Sequence, residues 1–86
     1  DIQCALGSSQ LKKLPGWLKR RTELMGLYEK ALKPLAPTIQ PIRRVGGHPG
    51  RHLNVVLVDF PAIGMERGHF VLRLREEGIG AAVQYL

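Results

Sequence analysis

The stretch of sequence that decides the fold lies at the start of the chain and reads Asp1-Ile2-Gln3-Cys4-Ala5-Leu6-Gly7-Ser8-Ser9-Gln10-Leu11-Lys12-Lys13-Leu14. Its apolar residues recur broadly on one side of a helix with 3.6 residues per turn, so the stretch predicts an α-helix. Asp1 suits the first position, because its carboxylate accepts hydrogen bonds from free backbone amides and complements the positive end of the helix dipole.

The helical pattern continues to about residue 33 and is interrupted by one proline. Apolar side chains recur at every seventh position, as at Leu11, Leu18 and Met25, which is a helical period. Pro15 falls inside this pattern, and its ring clashes with the preceding turn of a helix. We therefore expect a helix to about residue 14, a bend, and a second helix over 16–32.

Residues 34–51 form a connection that is rich in proline and glycine. Residues 38–45 predict a short edge strand, where a proline such as Pro41 is tolerated. The run Gly46-Gly47-His48-Pro49-Gly50 predicts a loop. With Arg43, Arg44 and Arg51 nearby, this loop suggests phosphate binding. A surface loop is favoured, since no helix follows it and the spacing of a P-loop is absent.

The last third, residues 52–86, predicts a strand, a helix and a second strand. Residues 52–60 are rich in β-branched and aliphatic side chains, which favours a mostly buried strand. Residues 66–77 predict a helix that turns Phe70, Val71 and Leu74 inward, joined after the turn by Ile79. Gly78 is expected to end it in a left-handed cap. Residues 79–85 then predict the closing strand. The fold class is α/β in two layers, with the long N-terminal helix packed on the small sheet.

Length and composition limit the possibilities further. Eighty-six residues with 44% hydrophobic side chains make at most one small folded domain. Its ends fall inside predicted elements, so we expect a truncated piece of a larger protein. The single cysteine, Cys4, excludes an internal disulfide and favours a reducing compartment, the cytoplasm. We expect its thiol to be buried and inert. No apolar run approaches the ~20 residues of a membrane helix.

The net charge of +6 raises the alternative of a small basic module that binds nucleic acid or a protein. Five basic residues lie within ten positions: Lys12, Lys13, Lys19, Arg20 and Arg21. A solvated helix face is favoured, because we expect no aromatic residue to interleave with the basic ones and no recognised nucleic-acid motif follows. The three histidines, His48, His52 and His69, do not predict a metal site, since further ligands in a fixed geometry are missing.

Three motifs carry a resemblance to a known family. The opening stretch is similar to Asp-Ile-Gln-x-Ala-Leu-Gly-x-x-Gln-Leu-x-x-Leu, by which the DegT/StrS sugar aminotransferases pass from their large to their small domain. The later motifs read His52-Leu53-Asn54-Val55-Val56 and Glu76-Glu77-Gly78-Ile79-Gly80-Ala81-Ala82-Val83-Gln84-Tyr85. They resemble the usual ending of that small domain. The resemblance implies the C-terminal small domain of a fold-type-I aminotransferase.

The resemblance also implies a reaction and a cofactor, pyridoxal phosphate (PLP). Such enzymes hold PLP on a lysine of the large domain. We therefore expect no catalytic or cofactor-binding residue in this chain. The lysines that this expectation excludes are Lys12, Lys13, Lys19, Lys30 and Lys33. We also expect the isolated fragment to be inactive. The branch most similar to this chain acts on the route to pseudaminic acid. It moves an amino group, typically from glutamate, to the 4-keto carbon of a UDP-linked 6-deoxy-N-acetylhexosamine.

Two residues are implied as substrate-binding, Gln84 and Tyr85, which align with the family's His-Tyr pair. Glutamine donates and accepts hydrogen bonds, but it cannot supply the positive charge of a histidine. The implied partners are the nucleotide sugar, the amino donor and a second subunit in a homodimer, without nucleic acid or membrane. The implied location is cytoplasmic.

Overall fold

The computed structural model describes residues 1–42 and 46–83. Helix α1 spans Ile2–Leu32 and is followed by a 3-10 turn over Lys33–Leu35. Strands β1 (Ile39–Pro41) and β2 (Val56–Val58), then helices α2 (Phe60–Ile63) and α3 (Arg67–Glu76), complete the order. The chain divides into two compact units. The helical unit comprises the described residues of 1–31 and 43–54, and the sheet unit comprises those of 32–42 and 55–86.

Helix α1 begins as the sequence predicts and then continues through Pro15. The Cys4 N–H donates to the Asp1 carboxylate (Oδ1) over 2.8 Å, and the Ala5 N–H donates to the Asp1 carbonyl over 3.0 Å. The prediction of two helices separated at Pro15 is wrong, because one helix includes it. Proline lacks one N–H donor, but the turns on both sides of it keep their own backbone bonds.

Burial along α1 is confined to its later turns. Every residue of 1–13 is exposed, including Cys4, so the expectation of a buried thiol is wrong. Met25, at 7% exposure, is the buried residue among those the structure describes, and Leu14, Leu18 and Leu32 are half-buried on its side. The loop after residue 45 approaches α1, since a Cβ on Gly50 would lie 3.7 Å from Cδ2 of Leu18.

The sheet is a two-stranded antiparallel pair. Ile39 pairs with Val58 and Pro41 with Val56, and the Asp59 N–H extends the ladder by donating to the Thr38 carbonyl over 2.8 Å. These four paired residues are half-buried, whereas the central pair Gln40 and Leu57 is exposed. The predicted edge strand containing Pro41 is confirmed within the described residues. The strand predicted over 52–60 is shorter than expected.

The last two residues of that predicted strand, Asp59 and Phe60, instead form the N-terminus of helix α2. The Asp59 carboxylate accepts from the Ala62 N–H over 3.2 Å, and Pro61 lies in the first turn of α2, where a missing N–H costs nothing. Gly64 ends α2 with φ +64°. Helix α3 agrees with its prediction to within one residue at each end, and Phe70, Val71 and Leu74 are half-buried. Ile79, at 50% exposure, does not join them.

Helix α3 ends in the predicted glycine cap. Gly78 has φ +81°, its N–H donates to the Arg75 carbonyl over 2.9 Å, and the Ile79 N–H donates to the Leu74 carbonyl over 2.8 Å. This pair of bonds is a Schellman motif. The prediction of a strand that begins at residue 79 is wrong for 79–83, where no strand forms, and its remainder lies outside the described residues. Within the described residues, β2 pairs with the preceding β1, and no strand follows α3.

Candidate functional site

The two residues predicted to bind substrate, Gln84 and Tyr85, lie outside the described residues. The structure does describe the segment that leads to them. Arg75 donates from Nη2 to the Ala81 carbonyl over 3.4 Å, and Ala81 is half-buried. Together with the Ile79–Leu74 bond, this contact ties the segment before Gln84 to the last turns of α3. The site assignment itself stays a prediction.

The lysines do not fit the linkage to PLP. A lysine that holds this cofactor needs a cleft that excludes water and positions its amine. Lys12, Lys13, Lys19, Lys30 and Lys33 are all exposed, on α1 or the 3-10 turn that follows it. None of these five lysines has the surroundings that a PLP linkage needs.

The remaining groups of chemical interest are also on the surface. His48, His52 and His69 are exposed. Within 1–42 and 46–83, no three residues among His, Cys, Asp and Glu come together as metal ligands. In the same residues, no helix has both the length and the apolar character needed to cross a membrane.

One feature that the sequence analysis missed is an open depression in the sheet unit. Its ionisable lining residues are Glu66, His69, Arg73 and Glu76, and Arg73 pairs with Glu76 over 3.6 Å (Nε to Oε2). The spacing of three, four and three residues places these side chains on one face of α3, a signal that was readable from the sequence. All four side chains are exposed to solvent.

The positive charge is concentrated in one of the two units. The sequence of the helical unit has nine Lys and Arg residues against three Asp and Glu, whereas that of the sheet unit has four of each. Trp17, at 43% exposure, stands on α1 between the basic residues Lys13 and Arg20. The expectation that no aromatic residue interleaves with the basic ones is therefore wrong, and Trp17 is the feature that favours the binding-module alternative.

Known proteins resemble this chain over its full length. It is 36% identical over 87 residues to the spore coat polysaccharide biosynthesis protein SpsC of Bacillus subtilis (strain 168), covering 100% of this chain and 22% of SpsC. It is 34% identical to the UDP-4-amino-4,6-dideoxy-N-acetyl-beta-L-altrosamine transaminase of Campylobacter jejuni subsp. jejuni serotype O:2, covering 99% of this chain and 22% of that protein. The uncharacterized protein MJ1066 of Methanocaldococcus jannaschii is 29% identical, covering 100% of this chain and 22% of its own length.

The chain thus spans about a fifth of the length of these relatives. No solved structure gives a significant match. The family profile described as the DegT/DnrJ/EryC1/StrS aminotransferase family matches residues 1–86, which is every residue of the sequence. This chain belongs to the DegT/DnrJ/EryC1/StrS aminotransferase family.

Proposed function

We propose that the protein containing this chain is a PLP-dependent aminotransferase that acts on a nucleotide sugar. Its amino donor is glutamate, and its acceptor is the 4-keto carbon of a UDP-linked 6-deoxy-N-acetylhexosamine, on the route to pseudaminic acid. The observation that carries the proposal is the family match over 1–86, joined by 34% identity to a relative named as a transaminase of such a sugar.

The contribution of this chain to the reaction is binding rather than catalysis. All five of its lysines are exposed, so we assign the PLP linkage to another part of the parent protein. Gln84 and Tyr85 are proposed to hold the nucleotide sugar by hydrogen bonds. The segment before them supports this role, because Arg75 and the cap of α3 anchor it through backbone carbonyls. The isolated chain is proposed to be inactive.

The direct test uses the protein encoded by the complete gene. The purified protein is incubated with glutamate and the UDP-linked 4-keto sugar, and the products are identified by mass spectrometry. We expect the 4-amino sugar and 2-oxoglutarate in equal amounts. If glutamate is not consumed with this or any other 4-keto nucleotide sugar, the proposed function is wrong.

The parent protein is also proposed to be a cytoplasmic homodimer. The support is the family's arrangement, in which active sites form between two subunits and the opening helix lies near that boundary. Sedimentation equilibrium of the active protein should give twice the mass of one chain. A monomer with full activity would contradict the assembly but not the reaction.

A second candidate function, a basic nucleic-acid- or protein-binding module, rests on the charge of the helical unit and on Trp17. For the nucleic-acid form, Trp17 fluorescence should change when a single-stranded oligonucleotide is added, and the affinity should fall steeply with salt. The transaminase proposal expects no salt-dependent binding of this kind.

A further inference from the structure

The chain leaves helix α3 through a short segment, residues 79–83, that forms no regular secondary structure. The cap of α3 holds the start of this segment, because the Ile79 N–H donates to the Leu74 carbonyl over 2.8 Å. Residues 80–83 form no backbone-to-backbone hydrogen bond with the other residues that the structure describes. The cap therefore fixes the path of the segment only as far as Ile79.

Gly80 comes directly after the cap and leaves the direction of the segment open. Glycine has more backbone freedom than any other residue, because it has no Cβ. A Cβ placed on Gly80 would have no neighbouring atom within 4 Å, so no packing on that side restricts the residue. Rotation of the backbone at Gly80 would redirect every residue after it. A contact beyond Gly80 is therefore needed to give residues 81–83 one direction.

The side chain of Arg75 supplies a contact beyond Gly80. Its Nη2 donates to the Ala81 carbonyl over 3.4 Å, which reaches across the cap to a residue six positions later. Ala81 is half-buried, whereas the two residues that follow it are exposed. The bond thus joins α3 to the residue of this segment that is best covered by the protein.

The two arginines at the end of α3 have different partners. Arg73 pairs with Glu76 over 3.6 Å (Nε to Oε2), whereas Arg75 forms no ion pair within residues 1–42 and 46–83. At 3.6 residues per turn the two arginines lie on nearly opposite sides of the helix. Both stand in its last turn, where the negative end of the helix dipole stabilises a positive charge. Arg73 is therefore a matched comparison for Arg75.

The contact at Ala81 lies close in sequence to the proposed sugar-binding residues. Two residues separate Ala81 from Gln84, so the chain between their Cα atoms spans at most about 11 Å. We propose that Arg75 is a positioning residue, whose bond to the Ala81 carbonyl directs the following chain toward the nucleotide sugar. The proposal rests on the proposed function in one respect, the substrate-binding role of Gln84 and Tyr85.

The first test measures the segment itself in the complete protein without substrate. Arg75→Met keeps a long side chain and removes its donors, and Arg73→Met removes the same charge from the other side of α3. The methyl group of Ala81 is attached to Cα, so its NMR order parameter follows the backbone. We expect this order parameter to fall from about 0.85 to below about 0.6 in Arg75→Met and to stay unchanged in Arg73→Met. An unchanged value in Arg75→Met, or an equal fall in both variants, would overturn the proposal.

The second test measures the kinetics of the same variants with glutamate and the UDP-linked 4-keto sugar. We expect Arg75→Met to raise KM for the sugar about 3- to 10-fold, while kcat and the release of 2-oxoglutarate from glutamate alone change by less than about two-fold. A residue that only stabilises the fold would lower both reactions together with the melting temperature. Arg75→Lys should restore most of the sugar affinity, because the contact uses a single donor. Failure of that rescue would overturn the proposal.

The two proposals fail in different ways. If the unaltered protein converts no 4-keto nucleotide sugar, the proposed function is wrong, and the positioning role is wrong with it. If the sugar is converted and its KM is the same in Arg75→Met, only the role of Arg75 is wrong. The order parameter of Ala81 depends on no turnover, so it decides in either case whether Arg75 holds the segment.

Discussion

The ring of Phe60 meets the ring of Phe70 edge to face, with centroids 5.8 Å apart and planes inclined by 72°. Phe60 opens α2 and Phe70 lies in the first turns of α3, so the contact joins the two helices across the Gly64 turn. Both residues are half-buried in the sheet unit. This pair is thus an apolar contact that holds α3 against α2.

Replacement of Phe70 by alanine should loosen α3. A fully buried Phe→Ala change costs about 3–5 kcal/mol, and the half-buried position of Phe70 lowers the expected loss to roughly 2 kcal/mol. Native-state hydrogen exchange of the α3 amides measures this loss. Leu72→Ala is the matched control, because Leu72 lies on the same helix and is 53% exposed. Equal effects of the two changes would show that the aromatic pair does not hold α3.

Two glycines of the α3 region should respond to alanine in opposite directions. Gly78 has φ +81°, and no atom lies within 4 Å of an added Cβ, so the cost of Gly78→Ala is purely conformational, about 1 kcal/mol. Gly68 lies within α3, and no atom lies within 4 Å of a Cβ added there either. Gly68→Ala should therefore stabilise the folded protein by up to ~1 kcal/mol. Helix content and melting by circular dichroism give both values. A Gly78→Ala protein as stable as Gly68→Ala would contradict the left-handed cap.

The elements predicted well are those specified by local chemistry. Asp1 caps α1 and Gly78 caps α3. The inward side of α3 contains Phe70 and Leu74. Each of these features is determined by residues within a few positions along the chain. The failures concern contacts between distant residues. A strand over 79–83 requires a neighbouring strand for its hydrogen bonds, and sequence alone does not say that β2 pairs with β1.

The wrong expectations at Pro15 and Cys4 have separate physical reasons. A proline removes one backbone bond from a helix, and a helix as long as α1 retains enough others to continue. An apolar neighbourhood in sequence predicts a buried cysteine only if something covers that part of the helix, and residues 1–13 are all exposed. The candidate substrate site depends on a different signal, because the resemblance of Gln84 and Tyr85 to a family motif identifies the two residues but not their neighbours.

The exposure of all five lysines predicts how the 86-residue chain responds to PLP. After incubation with PLP and reduction with borohydride, we expect scattered, incomplete modification, because no lysine has a cleft that favours it. Peptide mass spectrometry gives the modified fraction at each lysine. Near-complete modification of a single lysine, abolished by its replacement with arginine, would mean that a cofactor site exists in this chain.

The remaining prediction concerns the sugar-binding role of Gln84 and Tyr85 in the complete enzyme. Gln84→Ala removes an amide that donates and accepts hydrogen bonds, and Tyr85→Phe removes one hydroxyl while keeping the ring. Loss of a substrate hydrogen bond should weaken transition-state binding by about 0.5–1.5 kcal/mol. This loss lowers kcat/KM for the keto sugar about 2- to 13-fold.

A residue that only packs gives a different pattern, and this makes the assignment testable. If Tyr85 merely fills space, Tyr85→Phe leaves kcat/KM unchanged, and any effect of Gln84→Ala follows the melting temperature rather than the reaction rate. Gln84→His serves as the control, since the motif that this segment resembles has histidine here and a histidine side chain can also donate and accept hydrogen bonds. We expect Gln84→His to retain most of the activity that Gln84→Ala loses, at an unchanged melting temperature. Wild-type kcat/KM in both Gln84→Ala and Tyr85→Phe would remove these residues from the substrate site.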